Sequence, residues 1–225
     1  MAAEMGCTVY RFDHLPISDS DFEYLDKVLA ECQNYGMEMM LVMADRSISA
    51  ENLRDCTEKV AKRYTKNSPH GFIKYVQILN EVDCVALEAS HPDGAIPAGD
   101  SIHHYTKESI DLEYLKFKCA IDAIRNNNPD MQICINFAYY HYGFISQLVQ
   151  RGLSWDVIGI DWYEDMGPVE NVLTPLSKLF PDYEIMFCEL NIRSTEQNAN
   201  HPLSRWQFVL DCMDDLYRNP QVTGA

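Results

Sequence analysis

Short apolar runs alternate without a break with longer amphipathic runs along the whole chain, and few folds accept that pattern. "CTVYRF" (7–12), "MEMMLVMA" (37–44), residues 73–80, "MQICINFAYY" (131–140), "DVIGIDWY" (156–163) and "EIMFCEL" (184–190) read as strands, and "QVTGA" opens one more near residue 221. The segments between them read as helices. In the first, Asp19 to Asp21 offer N-caps, Phe22, Leu25, Val28 and Leu29 form an apolar stripe, and Gly36 marks the stop. Thr106 is placed to cap the helix "KESIDLEYLKFKCAIDAIRNNN", Pro129 lies beyond its end, and Pro175 is expected to kink the helix that contains it. Residues 82–101, with "HPDGAIPAGD", read as a long loop.

Strict β-α alternation means βαβ units and a parallel sheet. Two architectures satisfy it, an open doubly wound sheet and a (β/α)₈ barrel. No G-x-G-x-x-G or G-x-x-x-x-G-K-[ST] follows any strand, so the nucleotide-binding open sheets lose their signature. The strands end on acidic residues, which favours the barrel. The expected fold is therefore an incomplete (β/α)₈ TIM barrel, the second to seventh strands plus the start of the eighth, within a single partial domain over residues 1–225. Such a chain leaves strand edges open, so poor solubility of residues 1–225 alone is expected, with recovery once the missing strands are restored, and activity of this piece alone does not follow.

Composition narrows the function. The formal net charge of −16, with no compensating Lys/Arg cluster, argues against nucleic acid and anionic membrane as partners. No apolar run reaches the roughly 18 residues of a transmembrane helix, and Met1 to Thr8 lacks the length and basic start of a secretory signal. The eight cysteines include no C-x-x-C pair and lie in apolar or helix-like runs, so they read as small buried hydrophobes with free thiols.

On such folds chemistry sits at the C-terminal ends of strands. Those ends carry Arg11, Asp45, Asn80-Glu81, Tyr139 to His141, Asp161 to Tyr163, and Glu189. None of these ends carries a lysine for a Schiff base, and the sequence has no G-x-S-x-G elbow and no H-E-x-x-H; His103-His104 are adjacent and point apart if extended. No metal or organic cofactor is implied. What remains is a pair of carboxylates, Glu81 ending "YVQILNE" and Glu189 ending "IMFCE", three strands further along. Two such groups are the minimum for glycoside hydrolysis, one protonating the leaving oxygen and the other attacking or activating water. Tyr163, on the preceding strand, is placed to hydrogen-bond Glu189. Trp162 could stack on a sugar face, and Arg11 could offset the carboxylates.

"YVQILNE" ending one strand, "GLSWDVIGIDWY" two strands later and "IMFCE" on the next resemble the retaining glycoside hydrolases of clan A, nearest the endo-β-1,4-galactanase branch, and the resemblance spans essentially the whole chain. It implies a (β/α)₈ barrel, Glu81 as acid/base, Glu189 as nucleophile, and Asn80, Arg11, His141, Trp162 and Tyr163 as substrate-binding residues, with a poly- or oligosaccharide as partner and an extracellular or periplasmic setting. Two departures stand out: Val82 follows Glu81 where many members have proline, and "MADRS" lacks the histidine motif of the galactanases. A carbohydrate-binding barrel without turnover is the alternative.

Overall fold

Met39–Met43 is buried without interruption, the mark of a strand covered on both faces, as in parallel sheets. The computed structural model describes residues 4, 6–92, 94–192 and 202–225, and side chains throughout except at 202–206. It contains seven parallel strands that pair in chain order: β1 (Val9–Asp13), β2 (Glu38–Met43), β3 (Tyr75–Ile78), β4 (Gln132–Ala138), β5 (Val157–Tyr163), β6 (Glu184–Asn191) and β7 (Val222–Gly224). Seven helices connect them: α1 (Asp19–Asn34), α2 (Ala50–Arg63), α3 (Val82–Ser90), α4 (Lys107–Asn127), α5 (Tyr142–Gln150), α6 (Glu170–Leu179) and α7 (Pro202–Arg218). The strands fall where the alternation puts them, and the fold is an incomplete (β/α)₈ barrel. No helix among the described residues is long and apolar enough to cross a membrane.

The chain forms two compact units. One comprises Met1–Val82 with Asp111–Ile135, the other Asp83–Ile110 with Asn136–Ala225. In the first, Leu25 and Leu29 of α1, Leu53 and Val60 of α2 and Phe117 of α4 are fully buried with the apolar residues of β2 and β3. In the second, Phe144 and Leu148 of α5, Ile158 and Ile160 of β5, Leu176 of α6 and Ile185 of β6 play the same part.

Three local expectations change. The N-cap of α1 is Ser18 rather than Asp19 to Asp21. Its hydroxyl accepts from the Asp21 amide at 3.3 Å while the Asp21 carboxylate accepts from the Ser18 amide at 2.8 Å, a reciprocal capping box. Residues 82–90 are helix α3 rather than loop. Its buried apolar residues are Val82, Ala86 and Leu87, too short a repeat to stand out beside the Pro/Gly-rich segment that follows. The stripe of α1 runs Phe22, Leu25, Leu29, Cys32, with Val28 half-buried beside it. Gly36, at φ +68°, follows the C-cap as the expected stop. All eight cysteines are free thiols, and burial pushes the Cys56 thiol up to about 11.

Candidate active site

The predicted residues form two sets, each within one unit. In the first unit, β3 and the turn after it carry the chemistry. Gln77 is a polar residue buried completely in an apolar strand, and such a group needs partners. Arg11 of β1 donates from Nε to Gln77 Oε1 at 3.0 Å and from Nη2 to Asn80 Oδ1 at 2.7 Å. Gln77 Nε2 donates to the same Asn80 Oδ1 at 2.8 Å and to the Leu79 carbonyl at 3.0 Å. Arg11 and Gln77 both donate to Asn80 Oδ1, which fixes its amide orientation and turns its Nδ2 away from them.

The backbone here is unusual. Leu79 has φ +61° and Glu81 φ +47°, a left-handed conformation that non-glycine residues adopt at a cost of about 1–3 kcal/mol each and that concentrates at functional sites. Arg46, from the segment after β2, spans the strained turn. Its Nε donates to the Asn80 carbonyl at 2.6 Å and its Nη2 to Glu81 Oε2 at 3.0 Å. Arg46 is in turn held by Lys116 of α4, whose ammonium donates to the Arg46 carbonyl at 2.8 Å and to Glu113 Oε1 at 3.3 Å. The Glu113–Lys116 pair is buried, with side chains 5% and 7% exposed. Asp45 lies beside this chain but binds Ser47, through its amide at 2.8 Å and its hydroxyl at 2.6 Å. Those hydrogen bonds hold its carboxyl below the usual range, so Asp45 shapes the turn into α2.

In the second unit, a bulge places the other carboxylate. β5 and β6 pair Ile160 with Phe187, but Asp161 with Glu189, so one extra residue, Cys188, sits in β6. Side chains alternate faces along a strand. Without the bulge, Glu189 would stand opposite Trp162; with it, Glu189 stands opposite Asp161, on the face that Tyr163 also occupies. The Tyr163 hydroxyl donates to Glu189 Oε2. On the same face Asn136 of β4 donates to Asp161 Oδ2 at 2.7 Å, and Asp161 is fully buried. Re-aiming a side chain next to an active site is a recurrent use of bulges.

Two residues expected to bind substrate are buried among protein groups. Trp162 is 0% exposed, donates its indole N–H to the Gly167 carbonyl at 2.9 Å, and stacks edge-on against Tyr140. His141 lies at the start of α5, 8% exposed, with Nδ1 2.6 Å from Asp83 Oδ2. His103 and His104 belong to a short turn, where His104 Nδ1 accepts from the Ser101 amide at 3.3 Å. The sequence reading passed over Arg46, Gln77 and Asn136. A glutamine inside the apolar "YVQILN" was a usable signal for one of them; nothing local marked the other two.

No family model matches the sequence, and no curated protein matches it. Solved structures do match in fold. A beta-glucosidase from Thermotoga maritima, in complex with noeuromycin, superposes with a TM-score of 0.74 at 10% identity, over 99% of this chain and 74% of that one. The AHE enzyme from Alicyclobacillus herbarius gives 0.71 at 12% identity over 99% and 73%, and the beta-glycosidase BGL167 gives 0.66 at 15% over 99% and 72%. At these identities the likeness is one of fold: the chain shares the (β/α)₈ architecture of glycosidases.

Proposed function

We propose that the protein is a retaining glycoside hydrolase acting on a poly- or oligosaccharide, with Glu189 as nucleophile and Glu81 as acid/base. The observation that carries this reading is the hydroxyl of Tyr163 on Glu189, aligned by a bulge. A donor on one carboxylate oxygen fixes the orientation of the carboxylate, which a nucleophile needs. The fold shared with solved glycosidases agrees with it.

In the first step Glu189 attacks the anomeric carbon, the bond to the leaving oxygen breaks, and Glu81 gives that oxygen its proton. In the second Glu81 takes a proton from water, which displaces Glu189 from the sugar. Asn80, oriented by Arg11 and Gln77, is held for contact with a sugar hydroxyl. Arg46 is the demanding element. A guanidinium on a carboxylate favours the charged form, whereas the first step needs Glu81 protonated. Arg46 therefore has to release Glu81 when substrate is bound, and its 40% exposed side chain has room to do so.

The test is hydrolysis of a panel of aryl glycosides by the parent, Glu81→Gln and Glu189→Gln. The reading expects turnover by the parent on at least one sugar, loss in Glu189→Gln with every leaving group, and loss in Glu81→Gln that is smaller for good leaving groups, which need no proton. Binding of oligosaccharide with no turnover by the parent would instead favour a carbohydrate-binding barrel.

A further inference from the structure

Outside the residues given a catalytic role, the fold brings two neighbouring residues up against a third that is distant in sequence. Asp83 and Cys84 open α3, and His141 opens α5. Among the described residues, one oxygen of Asp83, the Cys84 sulfur and a His141 ring nitrogen all lie within 4.8 Å of one another. Cys84 Sγ is 3.8 Å from His141 Nδ1 and 3.6 Å from Asp83 Oδ2.

We propose that Asp83, Cys84 and His141 form a binding site for a divalent cation of the zinc class. On a tetrahedral zinc, with Zn–S about 2.3 Å and Zn–N or Zn–O about 2.0–2.2 Å, ligand atoms sit roughly 3.3–3.6 Å apart. Both sulfur separations match that spacing to within a few tenths of an ångström. The Nδ1–Oδ2 separation of 2.6 Å is shorter because a proton lies between the two atoms. When the cation binds, the neutral imidazole carries its one proton on Nε2 instead of Nδ1, the thiol proton passes to solvent, and the pair opens by less than about 1 Å. The carboxylate and thiolate then balance the charge of the ion. The donor set of one thiolate, one imidazole and one carboxylate suits zinc, and Cys84 is only half-buried, so water can take the fourth position.

An independent observation points the same way. Asp83 is fully buried, and its Oδ1 has no hydrogen-bond partner. A carboxylate oxygen left so is costly, and a second ligating oxygen is what a cation would use. The ligands are also held in place. The Ala138 amide donates to Asp83 Oδ2 at 3.1 Å. Tyr139, at φ +55°, turns the chain from β4 into α5. Gly99 lies against the imidazole so closely that a Cβ there would stand 2.3 Å from His141 Cδ2.

The experiment is zinc binding to the whole chain after removal of metal with a chelator, followed by X-ray absorption of the loaded protein. The expected result is one equivalent of zinc with a single sulfur and otherwise nitrogen and oxygen donors, and at least about tenfold weaker binding in Cys84→Ser and in His141→Asn. With cobalt(II) in place of zinc, a thiolate charge-transfer band should appear in the parent and vanish in Cys84→Ser. No retained zinc, two or more sulfurs at the metal, or equal binding by Cys84→Ser would overturn the site. The absorption spectrum is read on the parent alone, so a variant that fails to fold does not rescue the proposal.

Discussion

Lys116→Met asks whether the buried Glu113–Lys116 pair supports the segment that carries Arg46. Both side chains are nearly inaccessible, so removing the ammonium strands a buried carboxylate. Glu113 Oε2 already lacks a hydrogen-bond partner, and the Arg46 carbonyl loses its donor. Breaking a buried pair in this way costs about 3–5 kcal/mol, which for a chain of this size lowers Tm by roughly 6–20 °C. The loss should depend on pH. Burial pushes the Glu113 carboxyl above its ordinary range, against the opposing pull of the Lys116 charge and hydrogen bond. A raised carboxyl pKa means that the fold favours the protonated form. Its contribution therefore improves as pH falls through the folded value toward the unfolded value near 4.3, and worsens as pH rises. Without Lys116 the folded value rises further, so the penalty is largest near neutrality and shrinks on acidification. Denaturant melts of parent and variant at about pH 7 and about pH 5 measure this. Adding Glu113→Gln to Lys116→Met should recover much of the loss, because no buried charge remains. A penalty below about 1 kcal/mol at neutral pH, or one that is flat with pH, would refute the reasoning.

Tyr163→Phe removes the donor on Glu189 and should lower kcat about 100-fold with little change in thermal stability; an unchanged rate would separate Tyr163 from the chemistry. Arg46→Ala removes the donor to the Asn80 carbonyl and to Glu81 and should change kcat/KM on aryl glycosides by about tenfold or more; an unchanged value would show that Arg46 does not act on Glu81. Trp162→Ala should cost about 3–5 kcal/mol of stability, as for any large buried aromatic; denaturant melts check it, and a stable variant that had lost only sugar affinity would return Trp162 to the binding surface.

The repeating units were legible because each strand is an apolar run bounded by turn residues, and parallel strands covered on both faces give an unbroken signal. Glu81, in the turn after β3, and Glu189, near the end of β6, stood out for the same reason: a carboxylate is conspicuous where apolar residues stop. The supporting residues were not legible. Arg46 and Lys116 meet Glu81 through a chain of contacts between segments far apart in sequence. The bulge at Cys188 exists only in the pairing of β6 with β5, so the sequence alone could place Tyr163 near Glu189 but not on its face. Trp162 and His141 sit at strand ends like the other candidates, yet one turns its face into packing and the other binds Asp83. Position along a strand does not say which neighbour a side chain will meet.

The central claim is that Glu189 forms a covalent bond to the sugar, and trapping that bond is the most direct measurement. The protein would be incubated with 2-deoxy-2-fluoro glycosides bearing a good leaving group, and its mass and peptide map recorded. The account predicts an increase of one fluoroglycosyl group, located on the peptide that contains Glu189 and absent from Glu189→Gln. An adduct on any other residue, or turnover of the parent sugars with no adduct formed, would contradict it.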